Sequence, residues 1–503
     1  MKRVLAAVIA LLALAGAGFT WVSRQAGIEV AQAIADQQAF VARQPWLRLV
    51  AQTYDRGLFA SSATTTVELR GPYGDLLADA LFRATGSRTP VRLLYLHDIR
   101  HGPFPNWRRG DLGPARAVIE TRFRLEGDLG SQLPEVFGAD APALAITELI
   151  DADNAVAHLK VPAIARELPG GTRLSWQGVH GDIRFARSYD RMQPDLRMPG
   201  LEISGRDGKA SLGNIAVTGD LRLGNHGLWL GTAEARVAEI GATGPGLTLK
   251  ASDGGYRTTV GSAGDFLDVT SDMTTRTVEM QGEKAGPFRL AMSARHLHGP
   301  TVKALRDAAD DLQRRNLKAQ EEALEQMALA RRFFADLMRH QPEFRIDELS
   351  FRMPAGDLRL TLALRVVRYD EETVANPVNS LGGMEADLDL DVAEPLALAL
   401  GEKVLARRGP VPLPGAAAGE TPDAAALARS YASDQINALV LQGHLVRDGE
   451  RLKASARWRD GGLKVNGFPV AVPFGRPPEP VRPAIELPPP DLPPPASRNL
   501  PGR

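Results

Sequence analysis

Most of this chain is written in period two. Between about Tyr54 and Val302, short runs of alternating apolar and polar residues follow one another, among them TTTVELRG, ARAVIETRFRLEGDL, LGNIAVTGDLRLG and FLDVTSDMTTRTVEMQG. Such alternation sends one set of side chains to each face of a strand. Gly-containing turns separate most runs, so successive strands have little chain in which to reverse. Parallel neighbours would need crossovers of about a dozen residues or more, so the spacing points to antiparallel hairpins and meanders. At 503 residues the chain exceeds one ordinary domain, which leaves two domains or one elongated β-rich body.

Several stretches break the pattern. Lys2 and Arg3 precede an uncharged run from Val4 to Val22. At the helical rise this run is about 28 Å long, close to the hydrocarbon core of a bilayer. Ala15-Gly16-Ala17 also fits a signal-peptide cleavage site. The apolar run continues through Phe19, Trp21 and Val22, which favours an uncleaved anchor. Residues 1–24 are therefore expected to form a signal-anchor transmembrane helix, single-pass, with the body facing a periplasm-like space. Residues 25–53 read as a stalk helix and 54–300 as an N-terminal β-rich region. The segment 301–341 contains no Gly or Pro and carries i,i+4 charge pairs such as Asp310–Arg314, so it reads as a long helix or helical hairpin. Its second apolar stripe is Leu324, Met327, Phe334, Leu337 and Met338, with Phe334 expected to be buried. Strands resume over 342–472, interrupted by the loop RRGPVPLPGAAAGETPD. Residues 473–503 are dense in proline and read as a disordered, polyproline-like tail. The fold class expected is α+β, mainly antiparallel β: a membrane helix, an elongated curved sheet, and a long inserted helix or hairpin.

Composition removes whole classes of function. Lys+Arg and Asp+Glu both number 60, so no global basic field attracts nucleic acid, and no nucleic-acid partner is expected. The absence of cysteine excludes disulfides, thiolate nucleophiles and iron–sulfur clusters.

The segment YDRGLFASSA, Tyr54 to Ala63, follows the membrane run and the stalk. HDIRHGPFP, His97 to Pro105, comes next in the chain, and DGGLKVNGFPV, Asp460 to Val470, closes it. Together these resemble the YdgA-like family of bacterial envelope proteins of unknown function. The resemblance implies an inner-membrane anchor and a periplasmic β-rich body, with no established chemistry. Its motif residues here are Tyr54, Arg56, Gly57, Leu58, Phe59 and Ser61; His101, Gly102, Pro103 and Phe104; Asp460, Gly461, Asn466 and Gly467. Gly-punctuated strands behind an anchor are also similar in style to AsmA-like proteins that handle lipids. On physical grounds Gly57 is expected at positive φ, with Leu58 and Phe59 in the core and Tyr54 over the turn.

Constellations that could carry chemistry were weighed against simpler readings. His-Gly-Pro occurs at His101 and His298, with His97 and His296 just upstream. Four imidazoles could bind a metal, but Gly-Pro after a strand is first of all a turn. Glu385, Asp387, Asp389 and Asp391 alternate with apolar residues and lack the glycine and terminal glutamate of a calcium loop, so they read as the solvated face of a strand. GRDGKAS at Gly205 lacks the first glycine and the helix of a phosphate loop. No catalytic residue, cofactor site or metal site is assigned, and no enzyme is expected. The expected function is a non-enzymatic envelope protein that binds lipid on an apolar sheet face. A structural or interaction scaffold and an uncharacterised hydrolase remain as alternatives. An open sheet face would need covering by the 301–340 helix, by acyl chains, or by a partner.

Overall fold

The computed structural model describes residues 2–44, 46–71, 74, 75, 78, 90–102, 104–107, 110, 115–126, 143–150, 153–168, 171–315, 317, 319–369, 381–407 and 424–471. The side chains of 2–19, 125, 143, 144, 168, 319, 405–407, 424 and 425 are outside that description. Pro103, the Pro-Gly loop at 408–423 and the tail 473–503 lie outside the described residues, as do the side chains of most of the Val4–Val22 run.

Helix α1 (Lys2–Arg43) stops two residues before Pro45. Strand β1 (Leu47–Arg56) follows at once, inside the stretch expected to be stalk helix. It opens a meander in which every pairing is antiparallel. β1, β2 (Ala60–Leu69), β3 (Arg92–His101), β4 (Ala117–Leu125), β5 (Ala143–Leu149) and β6 (Asn154–Val161) pair in chain order. The hairpin of β7 (Ile164–Leu168) and β8 (Thr172–Trp176) shares one edge of β10 (Arg191–Gly205) with β9 (Val179–Ala186), and β9 pairs with β6. β11 (Gly208–Leu223), β12 (Trp229–Gly244), β13 (Leu247–Ala263) and β14 (Phe266–Thr275) continue the order. A side hairpin, β15 (Thr277–Met280) with β16 (Glu283–Ala285), sits beside β14 on the edge of β13. β14 passes the sheet to β17 (Phe288–His298).

Two helices, α2 (Gly299–Arg315) and α3 (Ala319–Met338), interrupt the meander as a hairpin tied by Arg315–Glu325 at 3.6 Å. β18 (Glu343–Met353), β19 (Gly356–Val366) and β20 (Met384–Ala393) extend the sheet. After α4 (Glu394–Arg407) and α5 (Ala424–Leu441) come β21 (Val446–Asp448), β22 (Arg451–Arg459), β23 (Gly462–Val465) and β24 (Phe468–Val470), with β22 pairing to β20, β21 and β23. The chain is thus mainly antiparallel β with a few helices.

Burial is concentrated at two places. Under α1, Val30 and Ile34 pack on Ala63, Ile99, Ala117, Ile119, Leu149 and Ala155. Under α4 and α5, Leu396 and Ile436 pack on Val392 and Leu452, with Phe351 and Leu390 against them. Between these cores the sheet is a single layer: in β10 to β13 only Gly200 and Leu230 are buried. The α2–α3 hairpin does not fill this gap, because its main contacts are internal and, for α2, with β17. Phe334, expected to be buried, is 55% exposed, while its neighbour Phe333 is 8% exposed. A helix turns about 100° per residue, so Phe333 takes the inward position and Phe334 is carried outward. Among the described residues no helix is long and apolar enough to cross a membrane.

Candidate functional site

Two of the three sequence motifs meet where α1 docks on the sheet. His101 ends β3 and is 4% exposed; Ser61 lies near the start of β2 and is 6% exposed. The His101 Nδ1 lies 3.0 Å from the backbone oxygen of Ser23 in α1. A carbonyl only accepts, so Nδ1 carries the proton and Nε2 is an acceptor. The Ser61 hydroxyl, 3.1 Å away, therefore donates to Nε2, and its oxygen accepts from the Gly57 N–H at 3.3 Å. Burial pushes the His101 pKa down, the Arg56 charge adds to this, and the Ser23 hydrogen bond opposes it. The Arg56 guanidinium donates to the Arg24 backbone oxygen, a second tie to α1. Close approach is what the glycines provide. A Cβ on Gly102, at φ +130°, would stand 2.6 Å from Ser23 Oγ, and one on Gly27 3.0 Å from His101 Cε1.

Three expectations for this motif need correction. Gly57 is not among the glycines at positive φ. It is required because a Cβ would come within 2.1 Å of the Ala60 carbonyl oxygen, where the chain folds back into β2. Leu58 and Phe59 are 49% and 46% exposed rather than buried. They sit in the tight β1–β2 connection, outside both strands, where a side chain leaves the end of the hairpin. Phe104 is likewise 49% exposed.

The third motif lies at the far end of the sheet and joins neither of the others. Asp460-Gly461 links β22 to β23 and Asn466-Gly467 links β23 to β24, each pair at positive φ, as two-residue hairpin turns require. The Asn466 side chain accepts from the Ser455 N–H and donates to the Gly443 oxygen, both at 2.8 Å.

The two His-Gly-Pro sites do not meet either. His296 stacks on Phe266 at 3.8 Å and His298 on His340 at 3.6 Å, where α2 and α3 leave the sheet. Among the described residues no group of three or more His, Asp or Glu is placed to hold a metal ion. The acidic face of β20 is matched by arginines from β22, with Arg451–Asp391 at 2.5 Å, Arg457–Asp389 at 3.0 Å and Arg459–Asp387 at 2.7 Å.

The register holds a feature that no local motif announces. Residues directly opposite across paired strands point to the same face. From Tyr54 the pairings run through Ala63, His97, Thr121, Ala145, Leu159 and Gly181. They continue through Leu196, Val217, Ala235, Tyr256, Met273 and Leu290. Leu349, Leu360, Leu390 and Ala454 complete the row. At about 4.8 Å per strand the row is roughly 75 Å long. Beneath α1 it is buried, with Ala63 and His97 at 4%. Beneath α4 it belongs to the second core. In the middle Val217, Tyr256 and Met273 are 37%, 45% and 40% exposed. One residue along each strand, the opposite face reads Ser62, Asp98, Glu120, Ile146, His158, Asp182, Asp195, Thr218, Glu234, Arg257 and Asp272. Arg257 is bonded to Glu234 there at 2.6 Å, and that hydrogen bond is the main reason the carboxyl's pKa is lowered. The sheet is amphipathic, and among the described residues its apolar side is bare between two helix-covered ends.

No curated protein and no solved structure matches the chain. A family model described as "Bacterial protein of unknown function (DUF945)" matches residues 1–473, and the chain belongs to that family.

Proposed function

We propose that this is a non-enzymatic bacterial envelope protein, held to the inner membrane by residues 4–22, that binds acyl chains on the bare stretch of its apolar row. The observation that carries the reading is the uncovered span from Leu196 to Leu290, flanked by stretches that the chain covers with its own helices. Its five strand spacings make about 24 Å, against about 15 Å for the hydrocarbon of one leaflet, so an acyl chain fits along it. Each methylene laid on it is worth up to about 0.8 kcal/mol, independent of salt. The membrane location rests on the apolar run and on the resemblance to YdgA-like envelope proteins. Ser61 and His101 form a hydroxyl–imidazole pair, but both are buried and the second ring nitrogen is spent on a backbone carbonyl, which favours docking over hydrolysis.

The test is native mass spectrometry of the full chain extracted in mild detergent. Bound lipid is expected on the wild type and its loss on Met273→Glu, which puts a charge within the bare span. Lipid-free wild-type protein that also takes up no fluorescent fatty acid refutes the reading and leaves the scaffold alternative.

A further inference from the structure

Helix α3 exposes a run of large apolar side chains: Leu324, Met327 and Phe334 are 62%, 70% and 55% exposed. At about 100° per residue they fall within about 80° of one another, on the side turned away from buried Phe333. Beside Leu324, at the tip of the α2–α3 hairpin, lies a hollow of about 360 Å³ lined by Arg315, Leu317, Glu321, Leu324, Glu325 and Ala328. Phe334 stands ten residues further along the same helix, about 15 Å away. One helix thus carries a hollow near one end and an exposed aromatic ring near the other. Charge follows the same order. Glu321, Glu322 and Glu325 precede the midpoint of α3, and Arg331 and Arg332 follow it. Glu325 is 3.6 Å from Arg315, yet 51% of its side chain is exposed, so a second cation can reach it. Arg331 and Arg332 are exposed, the latter with its guanidinium over the Phe333 ring.

We propose, independently of the acyl-binding reading, that α3 is the surface through which two copies of this chain pair, antiparallel about a two-fold axis at the level of Leu329. A two-fold interface uses one patch complementary to itself. A hollow and a ring placed equally far from one point meet that requirement: Phe334 of each copy seats beside Leu324 of the other. The same axis brings Arg332 of one copy next to Glu325 of the other, because equal flanks of antiparallel helices face each other. A parallel pairing would set acid against acid and base against base, so charge selects both the partner and its direction. One helix face is small beside the about 1,600 Å² of a standard interface, so the pairing is reversible. In dilute protein the copies are apart, and Phe334 then contributes little to stability.

The experiment is sedimentation equilibrium of the full chain in mild detergent. A concentration-dependent dimer is expected. Phe334→Glu should weaken it at least about tenfold, since a charge enters an apolar hollow. Arg332→Glu and Glu325→Arg should each weaken it about fivefold, and the double variant should recover most of the loss, which a folding defect would not do. The chain holds no cysteine, so single cysteines report the geometry directly. Ala328→Cys, exposed beside the axis, should form an intermolecular disulfide under mild oxidation. Gln320→Cys, also exposed but about 27 Å from its twin along the helices, should not. A wild type that stays monomeric at every concentration overturns the proposal and leaves the face to a different partner. A dimer that persists unchanged in Phe334→Glu overturns it too, by placing the contact elsewhere. Equal cross-linking at both cysteines, or a double charge variant no tighter than the single ones, overturns the antiparallel arrangement on which it stands.

Discussion

Replacing Ser61 by Ala should loosen the attachment of α1 through a single orphaned nitrogen. In the wild type the Nδ1–H of His101 goes to the Ser23 carbonyl, which leaves Nε2 as an acceptor whose donor is the Ser61 hydroxyl. Ser61→Ala removes that donor in a site too enclosed for water to enter freely, at an expected cost of about 1–3 kcal/mol. The Gly57 N–H also loses its acceptor, but it is exposed and turns to solvent at little cost. In a His101→Phe background no acceptor remains to be orphaned, so Ser61→Ala should cost below about 0.5 kcal/mol there. The cycle should therefore give a coupling of about 1–2 kcal/mol. Urea denaturation followed by tryptophan fluorescence measures the four variants, and hydrogen exchange of amides near Ser23 shows whether the loss is felt in α1. Equal costs in both backgrounds, with unchanged exchange, would refute the argument that this bond latches helix to sheet.

Further expectations follow from individual contacts. Gly57→Ala should destabilise the body by about 1–3 kcal/mol in the same assay, because its Cβ would collide with the rigid Ala60 carbonyl. Phe333→Ala should cost about 3–5 kcal/mol and Phe334→Ala about 0.5 kcal/mol or less; equal costs would mean that the exposed face of α3 is docked on something. Burial holds His97 down at about 4, against 6.5 unperturbed. Below pH 6.5 the unfolded chain takes up a proton that folded His97 refuses, so its contribution is intact above 6.5 and lost as pH falls towards 4. That contribution is about 3 kcal/mol, and denaturation midpoints should decline less steeply across this window in His97→Leu.

The period-two runs and the Asp-Gly and Asn-Gly pairs made the antiparallel meander and its closing hairpins legible, because both signals are local. The absence of Gly and Pro throughout 301–341 marked the helical insertion for the same reason. What escaped was which side of each element a second layer would cover. Leu58, Phe59 and Phe334 are apolar and read as interior positions, yet each stays about half exposed. Gly57 was recognised as a required glycine for the wrong cause: a carbonyl three residues on, rather than its own dihedral, excludes a side chain. The pairing of Ser61 with His101, and of both with α1, joins residues 40 and 78 positions apart, and nothing in either segment names its partner.

By itself the sequence determined that the strands would be amphipathic and would reverse at tight turns, since strand alternation and turn chemistry depend on neighbours a few residues away. Only the tertiary structure decided that positions from seventeen strands, most of them apolar, fall into one register-matched row and that helices cover its two ends. It also decided that the middle stays bare. Register passes from strand to strand through backbone hydrogen bonds, and coverage depends on where α1 and α4 come to rest. Both are long-range outcomes, and the candidate binding face exists only as their product.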